Sequence, residues 1–151
     1  MPVTELGHVV LYVRDLDTAS AFYGDVLGWP VVATVDLDGT RARAFSAGRT
    51  HHELLLIDVG PDAAPLPTGR RLGLYHFGVK VGDTDDELRA MLSRLQHHDV
   101  TIVGRADHTI THSLYVLDPD GNEVELYVDV PGVDWVANPE VMVAPVRPLR
   151  L

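Results

Sequence analysis

His8-Val9-Val10-Leu11-Tyr12-Val13-Arg14-Asp15 and His76-Phe77-Gly78-Val79-Lys80-Val81-Gly82-Asp83 are two versions of one phrase, set 68 residues apart. Each opens with histidine, runs on as a short β-rich strand and reaches an aspartate. An internal repeat of this kind decides how the rest of a chain is read. A helical pattern follows each copy. In the first, Ala19, Phe22, Tyr23, Val26 and Leu27 recur at helical spacing, and Gly28 supplies the stop. In the second, Thr84 and Glu87 form a candidate capping box, and Leu88, Met91, Leu92 and Leu95 make one apolar face.

Strand-like pieces come after each helix: residues 31–35, 41–46 and 52–58 in the first half, and 101–105, 113–117 and 123–130 in the second. Asp38-Gly39 and Asp118-Pro119-Asp120-Gly121-Asn122 are turn signals between them. Each half therefore reads β-α-β-β-β, and the fold class is α+β. Module 1 is expected over about 4–59 and module 2 over about 72–130, both inside a single domain of 1–130. Residues 60–71, with Pro61, Pro65 and Pro67, form the linker. The proline-interrupted tail, 131–151, is expected to pack along the surface, anchored by Trp135.

The 151 residues are 46% apolar and 23% charged, an ordinary globular composition. With 22 acidic residues against 12 basic and a net charge of −10, the surface repels phosphate backbones and anionic lipid. Nucleic acid and membrane are therefore not expected partners. No apolar run is long enough for a bilayer, and Met1-Pro2-Val3-Thr4-Glu5 lacks the start of a signal peptide, so a cytoplasmic protein is expected. The absence of cysteine excludes thiolate ligands and a thiol nucleophile, and eight histidines turn attention to nitrogen and oxygen metal chemistry.

A turn centred on Asp120 pairs residues whose numbers sum to 240, so Leu117 faces Glu123 and Tyr115 faces Glu125. Opposed residues of an antiparallel pair share a face, with Cβ atoms about 5 Å apart. A slip of one residue would undo this. His8 and His76 hold equivalent places in the repeats, and halves packed about a pseudo-twofold axis can bring both imidazoles to one point. Singly, each histidine reads better as a polar strand tip, and Glu125 as a solvated strand residue. Together, His8, His76 and Glu125 make the two-histidine, one-carboxylate set that suits non-haem iron(II).

Gly7-His8-Val9-Val10-Leu11-Tyr12-Val13, with Phe22-Tyr23-Gly24-Asp25-Val26-Leu27-Gly28-Trp29, resembles the opening of the vicinal oxygen chelate (glyoxalase/bleomycin-resistance/extradiol-dioxygenase) superfamily. Asp118-Pro119-Asp120-Gly121-Asn122-Glu123-Val124-Glu125-Leu126-Tyr127 resembles its closing motif. The likeness covers about residues 4 to 130 and implies a curved mixed β-sheet cleft of the dihydroxybiphenyl-dioxygenase type. Within the superfamily, Thr50-His51-His52-Glu53-Leu54, Leu74-Tyr75-His76-Phe77, and Asp107-His108 seven residues before Tyr115 look like type I extradiol ring-cleaving dioxygenases of the catechol-2,3-dioxygenase kind.

The resemblance implies iron(II), with manganese, nickel, cobalt or zinc as alternatives, and a catechol-like substrate cleaved with dioxygen. It also implies His52 as acid–base, Tyr115 as a hydrogen-bond partner of the substrate oxygen, and His108 in support of it. Many such enzymes carry four modules, whereas two are present here, and two complete one site. A homodimer is expected, with the site built inside one chain or by exchange of modules. Glu53 opens an alternative. It lies 45 residues after His8, as Glu125 lies 49 after His76, and as the mate of Glu125 it would give the two-histidine, two-glutamate set of glyoxalase I and epimerase-like relatives. As adjacent strand residues, His52 and Glu53 face opposite sides and do not both point at the metal, and His52 is favoured as the inward one. A third reading is a binding protein that sequesters a drug or metabolite. His51 is expected in a loop, His112 at an exposed strand start, and His97 and His98 at the C-terminal end of the second helix. Tyr12 and Tyr127 suit core or interface packing at least as well as a pocket wall.

Overall fold

The computed structural model describes residues 2–151 and, at Leu37, the backbone alone; Met1, included in the expected domain, lies outside the described residues. The chain divides into two compact units, with the boundary between Leu66 and Pro67, inside the expected linker. In unit 1 the order is β1 (Val9–Val13), α1 (Leu16–Ser20), β2 (Val31–Leu37), β3 (Thr40–Phe45) and β4 (Leu54–Asp58). In unit 2 it is β5 (His76–Gly82), α2 (Asp85–His97), β6 (Ile102–Asp107), β7 (Thr111–Leu117), β8 (Glu123–Asp129) and a short β9 (Arg147–Pro148). Both halves are βαβββ, as the repeat requires.

The sheets share one plan. In unit 1 the strands lie in the order β1-β4-β3-β2, and in unit 2 β5-β8-β7-β6-β9. The leading strand of each unit runs parallel to the last strand of its module, and the other pairs are antiparallel. Side-chain alternation then gives each sheet a helix-covered face and an open face. In unit 1 the covered face holds Leu11, Val13, Phe45, Leu54 and Leu56, packed with Leu16, Ala19, Phe22 and Tyr23. In unit 2 it holds Leu114, Val116, Val124, Leu126 and Val128, with Leu88, Leu92 and Leu95 from α2.

Both helices start on caps. Thr18 N–H donates to Asp15 Oδ1 at 2.6 Å, and Glu87 N–H to Thr84 Oγ1 at 3.3 Å. Glu87 returns its carboxylate to the Asp83 N–H at 2.8 Å, one residue earlier than in the reciprocal box. α1 passes directly into a π-helical turn, Ala21–Val26, where Leu27 N–H reaches Phe22 O at 2.9 Å. Gly28 ends it with φ of 77°.

Three expectations need correction. The last strand of module 1 begins at Leu54, not at residue 52, so His52 and Glu53 lie in the loop before it and strand alternation does not apply to them. Trp135 does not anchor the tail, being 56% exposed; Arg147–Pro148 does, pairing with Asp107 and Ala106 on the edge of β6. His112 is not an exposed strand start. It is half-buried and its Nδ1 lies 2.6 Å from Asp85 Oδ1, tying β7 to the first turn of α2.

Candidate functional site

The β7–β8 hairpin has the register that its turn predicts: Leu117 opposes Glu123, Tyr115 opposes Glu125 and Ser113 opposes Tyr127. The turn is held by Asp118, whose Oδ1 accepts the Asp120 and Asn122 N–H groups at 3.0 and 2.7 Å. On the other side of β8, His76 lies opposite Glu123 and Gly78 opposite Glu125. One row across the open face of unit 2 therefore reads Gly78, Glu125, Tyr115, Gly104. A Cβ at Gly78 would stand 3.3 Å from the Tyr127 ring and 3.6 Å from Glu125 Oε2. A Cβ at Gly104 would stand 3.4 Å from the Tyr115 ring. The two glycines give the Tyr115–Glu125 pair its room.

Hydrogen bonds order this row. Glu125 Oε1 accepts from Ser113 Oγ at 2.7 Å and from Tyr115 OH at 3.1 Å. His108 Nε2 lies 2.7 Å from Tyr115 OH. A phenol has one proton and a carboxylate can only accept, so with Tyr115 donating to Glu125, His108 must donate from Nε2. Burial first, and then the charge and hydrogen bond of Glu125, hold the Tyr115 phenol far above its ordinary value, so it stays protonated. Glu125 Oε2 is left facing His76 Nε2 at 3.4 Å. Two ligand atoms about 2.1 Å from one ion, at angles between square and tetrahedral, lie about 3.0–3.4 Å apart. His76 and Glu125 thus have the spacing of a pair of metal ligands. His76 Nδ1 is buried without a hydrogen-bond partner, with Glu123 Oε1 at 3.6 Å the nearest carboxylate oxygen that pairs with it.

In unit 1, His8 stands just before β1 with its ring 4.5 Å from that of His52, centroid to centroid. His51 lies against His52, their Nδ1 atoms 2.6 Å apart, so one ring donates and the other accepts. Burial, then the neighbouring His51 and His8, push the His52 imidazole below its ordinary value, which favours the neutral form. Glu53 turns away from this cluster of rings. Its carboxylate accepts the N–H groups of Ala47 at 2.7 Å, Arg49 at 3.0 Å and Thr50 at 3.1 Å. Burial opposes its ionisation, yet these bonds outweigh burial and hold it below the usual carboxylate range.

The register corrects the proposed symmetry. In unit 1 Val9 pairs with Leu54 and Val10 with Leu55, while in unit 2 Phe77 pairs with Val124 and Gly78 with Glu125. Glu53 is therefore the counterpart of Glu123, and the counterpart of Glu125 is Leu55. Among the described residues, no three histidine or carboxylate side chains gather to hold an ion. His97 and His98 lie at the C-terminal end of α2, as expected. Ser113 escaped the sequence reading, although the alternation that puts Tyr115 beside Glu125 puts Ser113 on the same face. Tyr12 is 71% exposed on the open face of unit 1, and Tyr127 is half-buried on that of unit 2.

Residues 5–126 match the family model of the Glyoxalase/Bleomycin resistance protein/Dioxygenase superfamily, and the chain belongs to that family. It is 36% identical over 132 residues to a catechol-2,3-dioxygenase of Bacillus subtilis, covering 87% of this chain and 44% of the relative. It is 35% identical over 137 residues to biphenyl-2,3-diol 1,2-dioxygenase 3 of Rhodococcus globerulus, covering 85% of this chain and 66% of that protein. This chain thus spans less than two thirds of the length of either. Among solved structures, a glyoxylase/bleomycin resistance protein/dioxygenase domain from Frankia matches with a TM-score of 0.71 at 21% identity, over 85% of this chain and all of that one. A lactoylglutathione lyase from Agrobacterium tumefaciens matches with a TM-score of 0.62 at 31% identity, over 84% and 95%. Among the described residues no helix is long and apolar enough to cross a membrane.

Proposed function

We propose that this chain is an iron(II)-dependent extradiol ring-cleaving dioxygenase acting on a catechol-type vicinal diol, with His8, His76 and Glu125 holding the ion. The observation that carries this reading is the line of hydrogen bonds from His108 through Tyr115 to Glu125, which leaves one carboxylate oxygen free beside His76 Nε2. Two neutral imidazoles and one carboxylate fit iron(II), and the spacing of His76 and Glu125 fits a shared ion. When bound, the iron supplies Lewis acidity toward the diol oxygens and an ordered place for diol and dioxygen.

The side chains do the rest. Ser113 and Tyr115 fix one oxygen of Glu125 and so orient the other. Tyr115, kept protonated, offers its hydroxyl to a diol oxygen, and His108 holds that hydroxyl in place. His52, neutral and beside His8, takes the proton of a substrate hydroxyl and later returns it. The reading also carries a homodimer in the cytoplasm, which light scattering and cell fractionation would check.

The test is purification without oxygen, metal analysis, and addition of catechols under air while following oxygen uptake and the yellow ring-opened product. Iron-loaded protein that consumes no oxygen with catechol or its 3- and 4-substituted forms would refute the reading. The likeness to the Agrobacterium lactoylglutathione lyase favours a second one, a divalent-metal isomerase of glyoxalase or epimerase type. Against it stands Leu55, where a fourth, symmetric carboxylate would be needed. Nickel or zinc in the purified protein, with substrate-proton exchange in heavy water, would favour that reading instead.

A further inference from the structure

Three sets of hydrogen bonds from Glu53 each join a different piece of unit 1, and its Oε1 also lies 4.0 Å from Arg49 Nε. Its N–H donates to Phe45 O at 2.9 Å, closing the β3–β4 hairpin. Its carbonyl accepts from Val9 N–H at 2.9 Å, one residue past His8. Its carboxylate gathers the loop between the strands, taking three of the four consecutive N–H groups at 47–50. The fourth, from Gly48, goes to Ser46 Oγ at 3.0 Å, and that hydroxyl donates in turn to Thr50 O at 2.7 Å. Successive N–H groups curled around one anion form a nest, here with the anion built in. Gly48 holds the curve with φ of 101°. Arg49 carries the tie to the N-terminal segment, donating from Nη2 to Gly7 O at 2.9 Å.

The loop so fixed ends in His51 and His52, and the backbone so fixed leads from His8. We infer that Glu53 is a positioning residue, which sets His52 against His8 by anchoring the loop that carries one and the strand that follows the other, and which does not bind the metal. The inference rests on the proposed use of His8 and His52, but its physical content, a carboxylate-locked loop, holds whatever the substrate. A free carboxylate would have open lone pairs for an ion. This one has both oxygens committed to backbone N–H groups, and moving it to a metal would break three charge-assisted hydrogen bonds that hold the 47–50 loop in its curve.

The test compares the intact protein with Glu53→Gln and Glu53→Asp, with and without iron. Hydrogen exchange at Ala47, Arg49 and Thr50 should quicken by about tenfold or more in Glu53→Gln, since a charge-assisted acceptor is lost. The cross-peak between the His8 and His52 rings should weaken, while iron per chain stays unchanged. With a substrate in hand, kcat should fall about 10- to 100-fold with KM little altered. Arg49→Ala supplies a second variant, which should weaken the same ring cross-peak with all three acceptor bonds of Glu53 still present. Loss of iron in Glu53→Gln with the 47–50 amides still protected would make Glu53 a ligand and overturn the inference. So would unchanged exchange and unchanged ring contact. Inactivity of the wild-type protein toward catechols would sink the dioxygenase reading and leave the exchange and cross-peak results standing.

Discussion

In unit 1 the row behind the leading histidine reads Val10, Leu55, Ala44, Ala33, and in unit 2 it reads Gly78, Glu125, Tyr115, Gly104. The next row continues the contrast: Tyr12, Ile57, Ala42 and Val35 against Lys80, Tyr127, Ser113 and Ala106. Two sheets with one topology and one register thus present different chemistries, an apolar wall with histidines at one end and a polar, hydrogen-bonded face. The two copies share the strand plan and the leading histidine, while a carboxylate stands at this register position in unit 2 and Leu55 in unit 1. The repeat therefore teaches where a ligand can stand, and the residue at each register position decides whether one does.

The largest effect that would break this division of labour is loss of the ion. On the proposed ligand set, His76→Ala and Glu125→Ala should each yield protein without bound iron after dialysis, and His8→Ala should do the same although it lies in unit 1. Metal analysis decides it, and stoichiometric iron in His8→Ala would confine the centre to unit 2. Next in size, His52→Ala should keep its iron and lose turnover by about 10²–10⁴-fold, seen in steady-state kinetics.

Leu55→Glu sharpens the comparison by placing a carboxylate at the register position equivalent to Glu125. The variant should retain nickel or zinc more tightly than the parent in competition dialysis and take up less oxygen per iron. Smaller again, Gly78→Ala crowds the Tyr127 ring at 3.3 Å and should cost about 1 kcal/mol in denaturant unfolding, with a loss of turnover. Its counterpart Val10→Ala, 45% exposed, should leave turnover unchanged and move stability by less than about 0.5 kcal/mol. The smallest effect is on acid sensitivity. Glu53 titrates below its unfolded value of 4.5, so its contribution to stability is full above that pH and fades as pH falls through the lower folded value. Amide exchange at residues 47–50 should rise there, and Glu53→Gln should remove that pH dependence.

Much of this was legible before any coordinates, and for physical reasons. The hairpin register followed from a turn whose residues permit one geometry, and from it the facing of Tyr115 and Glu125. The capped second helix followed from Thr84 and its apolar spacing. The loop before β4 was not legible. His52-Glu53-Leu54-Leu55-Leu56-Ile57 reads as one unbroken strand, and nothing in residue type announces that a carboxylate will be claimed by its own backbone three to six residues upstream. The equivalence of Glu53 and Glu125 failed for the same reason, since counting along the sequence ignores the loops that the sheet register skips.

The pairing of Arg147–Pro148 with β6 has a consequence for how molecules of this protein meet in a crowded solution. An outer strand with unpaired amides invites a neighbour to zip onto it, and growth of that kind needs a donor at each step. Proline has none, so the last rung laid on this sheet offers poor footing for another. Cutting the chain before Arg147 would uncover the end of β6 at Ala106 and Asp107 and lengthen the stretch of that edge open to a neighbour.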